Sequence, residues 1–382
     1  MSIKILHLLL SESYGGLELY VCQLIEQQCI RGYQVHSLVL PQSKAAHHLE
    51  SLQLANLHLH YGSKPQRLSL SNIMQIRAIL RKYQIRLLHS HNRLDIWVGS
   101  LANLTGLCQH VHSVYMLVTH AKKGLQYQFI YGNPARFVST SELTNHAILA
   151  NLPVSPEKIR LIAYGRELAK YTTTQRQRIR QQHQAKPDQI VVATLSRIDK
   201  QKGIREFVES YLQLPQSLQK RVVYWVIGEP SILKSTGGQV EYEAEGVELE
   251  NFIEGFIEQH QLNGKIKRIP FQKNYIDYLG SMDIFVLPSY NEMYSLSVIE
   301  AMLMHVPVIG TNTGGTPEQI STDRGLQIQP RNSHAIAQAV SKLAENPDLA
   351  AQFAKNAYKW AVNRHDLQNT LQQFEQLYQE IL

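Results

Sequence analysis

Apolar and polar positions follow one another along this chain in two rhythms. A mostly apolar run over residues 3–10 gives way to a polar, glycine-bearing turn; apolar side chains then fall at positions 17, 20, 21, 24 and 25. The first rhythm is that of a buried strand, and the second has the period of a helix, closed by Gly32. The pair recurs. Strand-like runs cover residues 34–40, 86–89, 110–115 and 136–139, and helical patterns cover 70–83 and 93–104. Such alternation predicts a parallel sheet with helices on both faces.

A polar segment at 165–187 lacks any long apolar period and holds a proline ahead of the next strand. The alternation then restarts, with strands predicted over 190–195, 221–227, 266–270, 284–288 and 306–310. Two doubly wound α/β domains are therefore expected, since 382 residues exceed the usual single core. Their bounds are 1–170 and 171–365. Residues 366–382 form a terminal helix with apolar positions 367, 371, 374, 378 and 381, placed either across the first domain or on the second. The acidic stretch 241–258 reads as a solvated helix face.

Composition changes this picture little: 44% hydrophobic and 18% charged residues describe an ordinary globular protein. No apolar run approaches the roughly 18 residues that span a bilayer. The N-terminal run has no small-residue cleavage site and reads as the first strand, not a secretory leader. Cys22, Cys29 and Cys108 form neither a CxxC pair nor an even framework, which points to a reducing cytoplasm.

Charge changes it more. Residues 1–170 carry 17 Lys/Arg against 8 Asp/Glu, a net +9, whereas residues 171–382 carry 21 against 23, a net −2. The first half is expected to meet something anionic. No helix-turn-helix, zinc or RNA-reading motif accompanies that charge, so nucleic acid is not the expected partner. An anionic inner-membrane surface or a phosphorylated glycan is, with Arg77, Arg81 and Lys82 on one amphipathic helix as the contact.

The candidate chemistry is concentrated late, in PSYNEMYSLSVIEAMLMHVPVIGTNTGGTPE. Two carboxylates eight residues apart, Glu292 and Glu300, bracket a turn, Ser295-Leu296-Ser297, that opens a helix. Backbone N–H groups at a helix start favour an anion. Earlier, the turn after the 190–195 strand carries Arg197 and, five residues on, Lys202, a pair of cations suited to a pyrophosphate. Gly15 and Gly16 follow the first strand and allow close backbone approach to a phosphate. His89/His91 and His110/His112 have H-x-H spacing, but no cysteine or carboxylate set completes a metal site, and no metal is expected.

These segments together resemble glycosyltransferase family 4, the retaining nucleotide-sugar transferases of GT-B fold. The resemblance is most specific over 270–330, moderate over 190–230 and loose before 165. It implies two Rossmann-like domains facing an interdomain cleft, an acceptor-side domain at 1–170 and a donor domain at 171–365. It implies that Glu292 orients the donor sugar and Glu300 the ribose, while Arg197 and Lys202 hold the diphosphate. Gly15, Gly16, Ser295, Leu296 and Ser297 would assist through their backbones. His112 matches the family histidine near the reacting hydroxyl. Departures stand at Ser196 (for glycine), at Tyr164 and Arg166, and at Glu229-Pro230, which lacks the second glycine of a Gly-x-Gly turn. No Asp-x-Asp occurs, and the cations would serve in place of a metal; no cofactor is implied beyond the sugar donor. The expected activity is hexosyl transfer, UDP-sugar favoured, to a bacterial surface glycan or lipid-linked acceptor such as lipopolysaccharide. The expected location is the cytoplasm, peripheral at the inner membrane. The alternatives are a silent partner subunit of a glycosyltransferase and a sugar-nucleotide epimerase of the same architecture.

Overall fold

The protein is described by a computed structural model covering residues 3–64, 66–172, 175–236 and 239–382. It divides into two compact units, Met1–Arg166 with Leu367–Leu382, and Glu167–Asp366.

The first unit is built on seven strands: β1 (Lys4–Leu9), β2 (Gln34–Val39), β3 (Leu57–Tyr61), β4 (Leu87–Ser90), β5 (Gln109–Val114), β6 (Arg136–Ser139) and β7 (Ile159–Leu161). They lie in the order β3-β2-β1-β4-β5-β6-β7 with every pairing parallel. The central strands are buried along their length, as helices on both faces require. Leu6, Leu8, Leu38 and Leu88 pack on one face against Ile76, Ile79 and Leu80 of the helix Leu70–Lys82. β3 and β7 lie outside the predicted strands. β3 reads Leu-His-Leu-His-Tyr and is only half-buried at the sheet edge, so it lacks the apolar run that marks its neighbours.

The terminal helix Leu367–Ile381 packs on this unit, burying Leu367, Leu371, Phe374, Leu377 and Tyr378. Its Tyr378 joins a buried hydrogen-bond chain whose direction can be worked out. Gln28 Nε2 donates to Tyr378 Oη at 3.3 Å, which makes Gln28 Oε1 the acceptor for His7 Nε2 at 2.7 Å. A neutral His7 then accepts at Nδ1 from His91 Nε2 at 2.8 Å, and His91 Nδ1 accepts from Tyr115 at 3.1 Å. At the other end Tyr378 donates to His89 Nδ1 at 2.8 Å, and His89 Nε2 donates to Ser113 Oγ at 2.8 Å. One proton on each ring satisfies every bond. Burial holds His7 down at about 4 and keeps His89 and His91 well below the usual histidine range.

The second unit repeats the plan with β8 (Ile190–Leu195), β9 (Val222–Ile227), β12 (Ile266–Ile269), β13 (Ile284–Leu287), β14 (Val308–Thr311) and β15 (Gly325–Ile328), with an antiparallel hairpin of β10 (Ile232–Thr236) and β11 (Gln239–Tyr242) between β9 and β12. The six parallel strands lie in the order β12-β9-β8-β13-β14-β15. The hairpin and β15 lie outside the predicted strands. The polar segment 165–187 contains a short helix, Arg176–Gln182, whose arginines replace an apolar face: Arg176 and Arg180 both bind Asp283 at the foot of β13. The acidic stretch is the helix Ala244–Gln259, solvated on one face and burying Leu249, Ile253, Phe256 and Ile257 on the other.

Candidate active site

In the second sheet the winding reverses between β8 and β13, which are neighbours in register at Val192 and Ile284. Beyond the carboxyl ends of two such strands a doubly wound sheet leaves a crevice that no crossover helix covers. The chain leaving β8 carries an exposed Arg197, whose Nη1 donates to Ser231 Oγ at 3.1 Å, and then a tight turn, Lys200–Lys202. Asp199 caps that turn by accepting from the Gln201 N–H at 2.7 Å. Gly203 follows at φ +63°, and a Cβ there would lie 2.1 Å from the carbonyl oxygen of Pro288. Only glycine allows the Lys202 turn to rest on the exit of β13.

That exit carries Glu292. Its Oε2 lies 2.6 Å from Lys202 Nζ, with the two side chains 17% and 20% exposed, and Ser289 Oγ approaches the same oxygen at 3.4 Å. The loop bearing the carboxylate is held by backbone on two sides. Tyr290 N–H donates to Gln201 O at 2.8 Å, tying it to the lysine turn, and Gly315 N–H donates to Glu292 O at 2.8 Å, tying it to the loop after β14. Gly314, at φ +59°, passes so close that a Cβ would sit 2.0 Å from Glu292 O. Thr311 and Thr313 add hydroxyl bonds to the carbonyls of Ser289 and Tyr290, at 2.6 and 3.0 Å. Two side chains 90 residues apart are thus brought together by main-chain bonds rather than by their own attraction, which is small for a partly solvated pair.

The helix Leu296–Leu303 starts at Ser295, whose Oγ accepts from the Val298 N–H at 3.4 Å. The expectation that all three N–H groups of Ser295, Leu296 and Ser297 face an anion needs correction. Ser295 N–H donates to Gln319 Oε1 at 2.8 Å, and Gln319 returns a bond to Ser295 O at 2.7 Å. Leu296 and Ser297 remain in the first turn, where an N–H has no intrahelical acceptor. Glu300 lies one turn in, 7% exposed, and its Oε1 accepts from Tyr171 at 3.1 Å and from Tyr275 at 3.2 Å. No spacing in the sequence signals these tyrosines, nor Gln319. Glu318 turns toward the helix Pro347–His365, 2.7 Å from Arg364.

Comparison with known proteins identifies the family and the fold. Residues 14–170 match the family model described as Glycosyltransferase Family 4, and residues 175–360 match that described as Glycosyl transferases group 1. The chain belongs to glycosyltransferase family 4. A Staphylococcus aureus relative, the capsular polysaccharide biosynthesis glycosyltransferase CapM, is 25% identical over 288 residues, 71% of this chain and 70% of that protein. A glycosyltransferase from Rickettsia africae superposes with a TM-score of 0.85 at 18% identity, over 100% of this chain and 98% of its own. Anabaena Alr3699/HepE, solved in complex with UDP, gives 0.82 at 18% identity over 100% of both chains. The fold is that of the GT-B glycosyltransferases.

The first unit of this glycosyltransferase treats its own switch point, between β1 and β4, differently. Gly15 and Gly16 are exposed there and open the helix Gly16–Ile30. The Gly15 N–H, expected to meet a phosphate, already donates to Glu18 Oε2 at 2.8 Å, while Ser11 Oγ holds the other carboxylate oxygen at 2.7 Å. A carboxylate occupies the position an anion would take. His112 lies within β5 rather than beyond it, 5% exposed, against Phe137 and 2.8 Å from Ser90 Oγ; burial and nearby His110 hold its ring down at about 3. Among the described residues His7 completes a trio with His89 and His91, which the H-x-H spacing alone did not reveal. All six ring nitrogens of that trio have hydrogen-bond partners, so it reads as the core network described above. Arg77 is likewise engaged, donating to Ala102 O at 2.8 Å, whereas Arg81 and Lys82 are exposed.

Proposed function

We propose that the protein moves a glycosyl unit from a nucleoside diphosphate sugar, with UDP as the carrier, to a hydroxyl of a bacterial surface glycan or lipid-linked acceptor. The observation that carries this reading is the Lys202–Glu292 ion pair beyond β8 and β13, with Arg197 on the loop leaving β8 and Glu300 on the helix after β13. The UDP-bound relative and the capsular relative support the donor and the acceptor class.

In this reading the diphosphate lies on Arg197 and Lys202, near the helix-start N–H groups of Leu296 and Ser297. Lys202 exchanges one anion for another as Glu292 turns to the sugar hydroxyls, so no bare charge is created on binding. The bond from the anomeric carbon to the phosphate oxygen breaks, and the bond to the acceptor oxygen forms on the same face. The acceptor proton passes to the departing phosphate. Charge grows on that phosphate as the bond breaks, and fixed cations stabilise the transition state more than the ground state. A divalent ion is not required where two cations already stand. His112, neutral throughout, enters as a positioning group on the acceptor side.

The acceptor is proposed to lie at an anionic membrane surface. The helix Leu70–Lys82 supports this: Leu70 and Met74 are 70% and 60% exposed, and Ala78, Arg81 and Lys82 continue the solvent-facing stripe. The test is thermal stabilisation by UDP-, GDP-, ADP- and dTDP-sugars with and without EDTA. A rise with a UDP-sugar that survives EDTA is expected. No shift with any donor removes the donor assignment, and a shift abolished by EDTA removes its metal independence.

A further inference from the structure

Glu300 is gripped in a way that neither its spacing from Glu292 nor the family resemblance accounts for. Two phenols converge on one of its oxygens: Tyr171 at 3.1 Å and Tyr275 at 3.2 Å, both to Oε1. They arrive from separate segments. Tyr171 follows the short turn Leu168–Lys170, and Tyr275 opens the helix Tyr275–Leu279 between β12 and β13. Both rings are partly solvated, while the carboxylate they hold is 7% exposed.

The terminal torsion of a glutamate is broad and close to two-fold, so an untethered carboxylate samples many planes. Two O–H donors on a single oxygen remove that freedom, and hydrogen bonds to a charged acceptor are stronger than neutral ones. A carboxylate whose plane is set beforehand meets a pair of vicinal hydroxyls with less ordering at the moment of binding. We propose that Tyr171 and Tyr275 are positioning residues that orient Glu300 for the ribose hydroxyls of the nucleoside diphosphate. Selectivity for ribose over 2′-deoxyribose then depends on the two phenols. This rests on the donor-site reading above.

The experiment is calorimetric titration of the full chain with UDP, GDP and ADP, with their 2′-deoxy counterparts, and with pyrophosphate. For wild type, the preferred ribonucleotide is expected to bind about tenfold or more tighter than its deoxy form. In the double variant Tyr171→Phe/Tyr275→Phe the ratio is expected to fall below about threefold while pyrophosphate affinity stays unchanged. Donor KM should rise with kcat preserved. The single Tyr275→Phe variant, at a partly solvated ring, is expected to show an intermediate ratio should the double variant fold poorly. A ratio kept at its wild-type value in the variants overturns the inference and leaves the donor site standing. Absence of binding by wild type to all three ribonucleotides overturns the donor-site reading and this inference with it.

Discussion

The two units share a winding scheme and place loops at the same end of their sheets, yet they fill the switch point in opposite ways. In the second unit the crevice beyond β8 and β13 holds Lys202 and Glu292, both partly solvated and both held by main-chain bonds from neighbouring loops. In the first unit the helix start after β1 is closed by Glu18, and the polar side chains of β1 and β4 are turned inward. His7 and His89, opposite each other in register, are both 0% exposed. The topology supplies a place for a ligand; whether ions are left wet there or buried in mutual hydrogen bonds decides whether the place can bind one. One unit is built to exchange partners, the other to keep them.

The largest effect that would break this contrast is acid. His7 and His110 are held at about 4 and His112 at about 3, chiefly by burial, with His89 and His91 also lowered. A free histidine titrates near 6.5, so between about 6.5 and 4 the unfolded chain takes protons that the folded core refuses. Stability from these rings is complete above 6.5 and is lost as pH falls, by up to about 1.4 kcal/mol per pH unit for each ring. Strands β8, β9, β13 and β14 contain no histidine. Hydrogen-exchange protection at pH 5 should therefore drop in β1, β4 and β5 by several kcal/mol while β8, β13 and β14 change little. Equal loss in both units would show that the histidine core is not what distinguishes them.

Next in size is the reverse perturbation. Lys202→Ala is expected to lower glycosyl transfer by about 10²–10³-fold, the cost of losing one preorganised charge at a leaving group. Exchange protection of β1, β4 and β5 should be unaltered. Turnover within about threefold of wild type would remove the lysine from the diphosphate site and leave the ion pair with a structural role only.

Both the legible and the illegible parts of this molecule have local reasons. β1 and β2 hold buried Leu, Ile and Val that show as strands even with His7, His36 and Ser37 among them; β3 alternates histidine with leucine at a half-buried edge and shows as nothing. Gly15 and Glu18 stand at capping-box spacing, so a closed helix start competes there with a phosphate turn, and the structure has the former. His7 sits alone in an apolar run and acquires meaning only when the β1–β4 register sets it against His89. In the second unit, Arg197, Lys202, Glu292 and Glu300 are singled out by motif, but the Lys202–Glu292 contact spans 90 residues. Gln319, Tyr171 and Tyr275 reach the site through tertiary packing that no short spacing encodes.

The smallest effect sharpens the first unit's side of the contrast. Tyr378 ties the terminal helix to the histidine chain by hydrogen bonds, accepting from Gln28 and donating to His89, beside the Phe374 ring that packs on His89. Tyr378→Phe keeps the buried ring, which is 0% exposed, and deletes only the hydroxyl. His89 Nδ1 then loses its donor and Gln28 its acceptor, both inside the core. Each group left unsatisfied costs about 1–3 kcal/mol, more than the net value of the bonds themselves. Urea unfolding at pH 7.5 should show a loss of about 2 kcal/mol, with exchange rising first across Leu367–Ile381. The direction of the chain adds a sharper mark. Without the phenol, His89 is free to carry its proton on either nitrogen, and its ring 15N shifts should move from one tautomer toward a mixture. An unchanged tautomer in the variant would mean that Ser113, not Tyr378, sets the state of that ring, and that the chain runs as two separate halves.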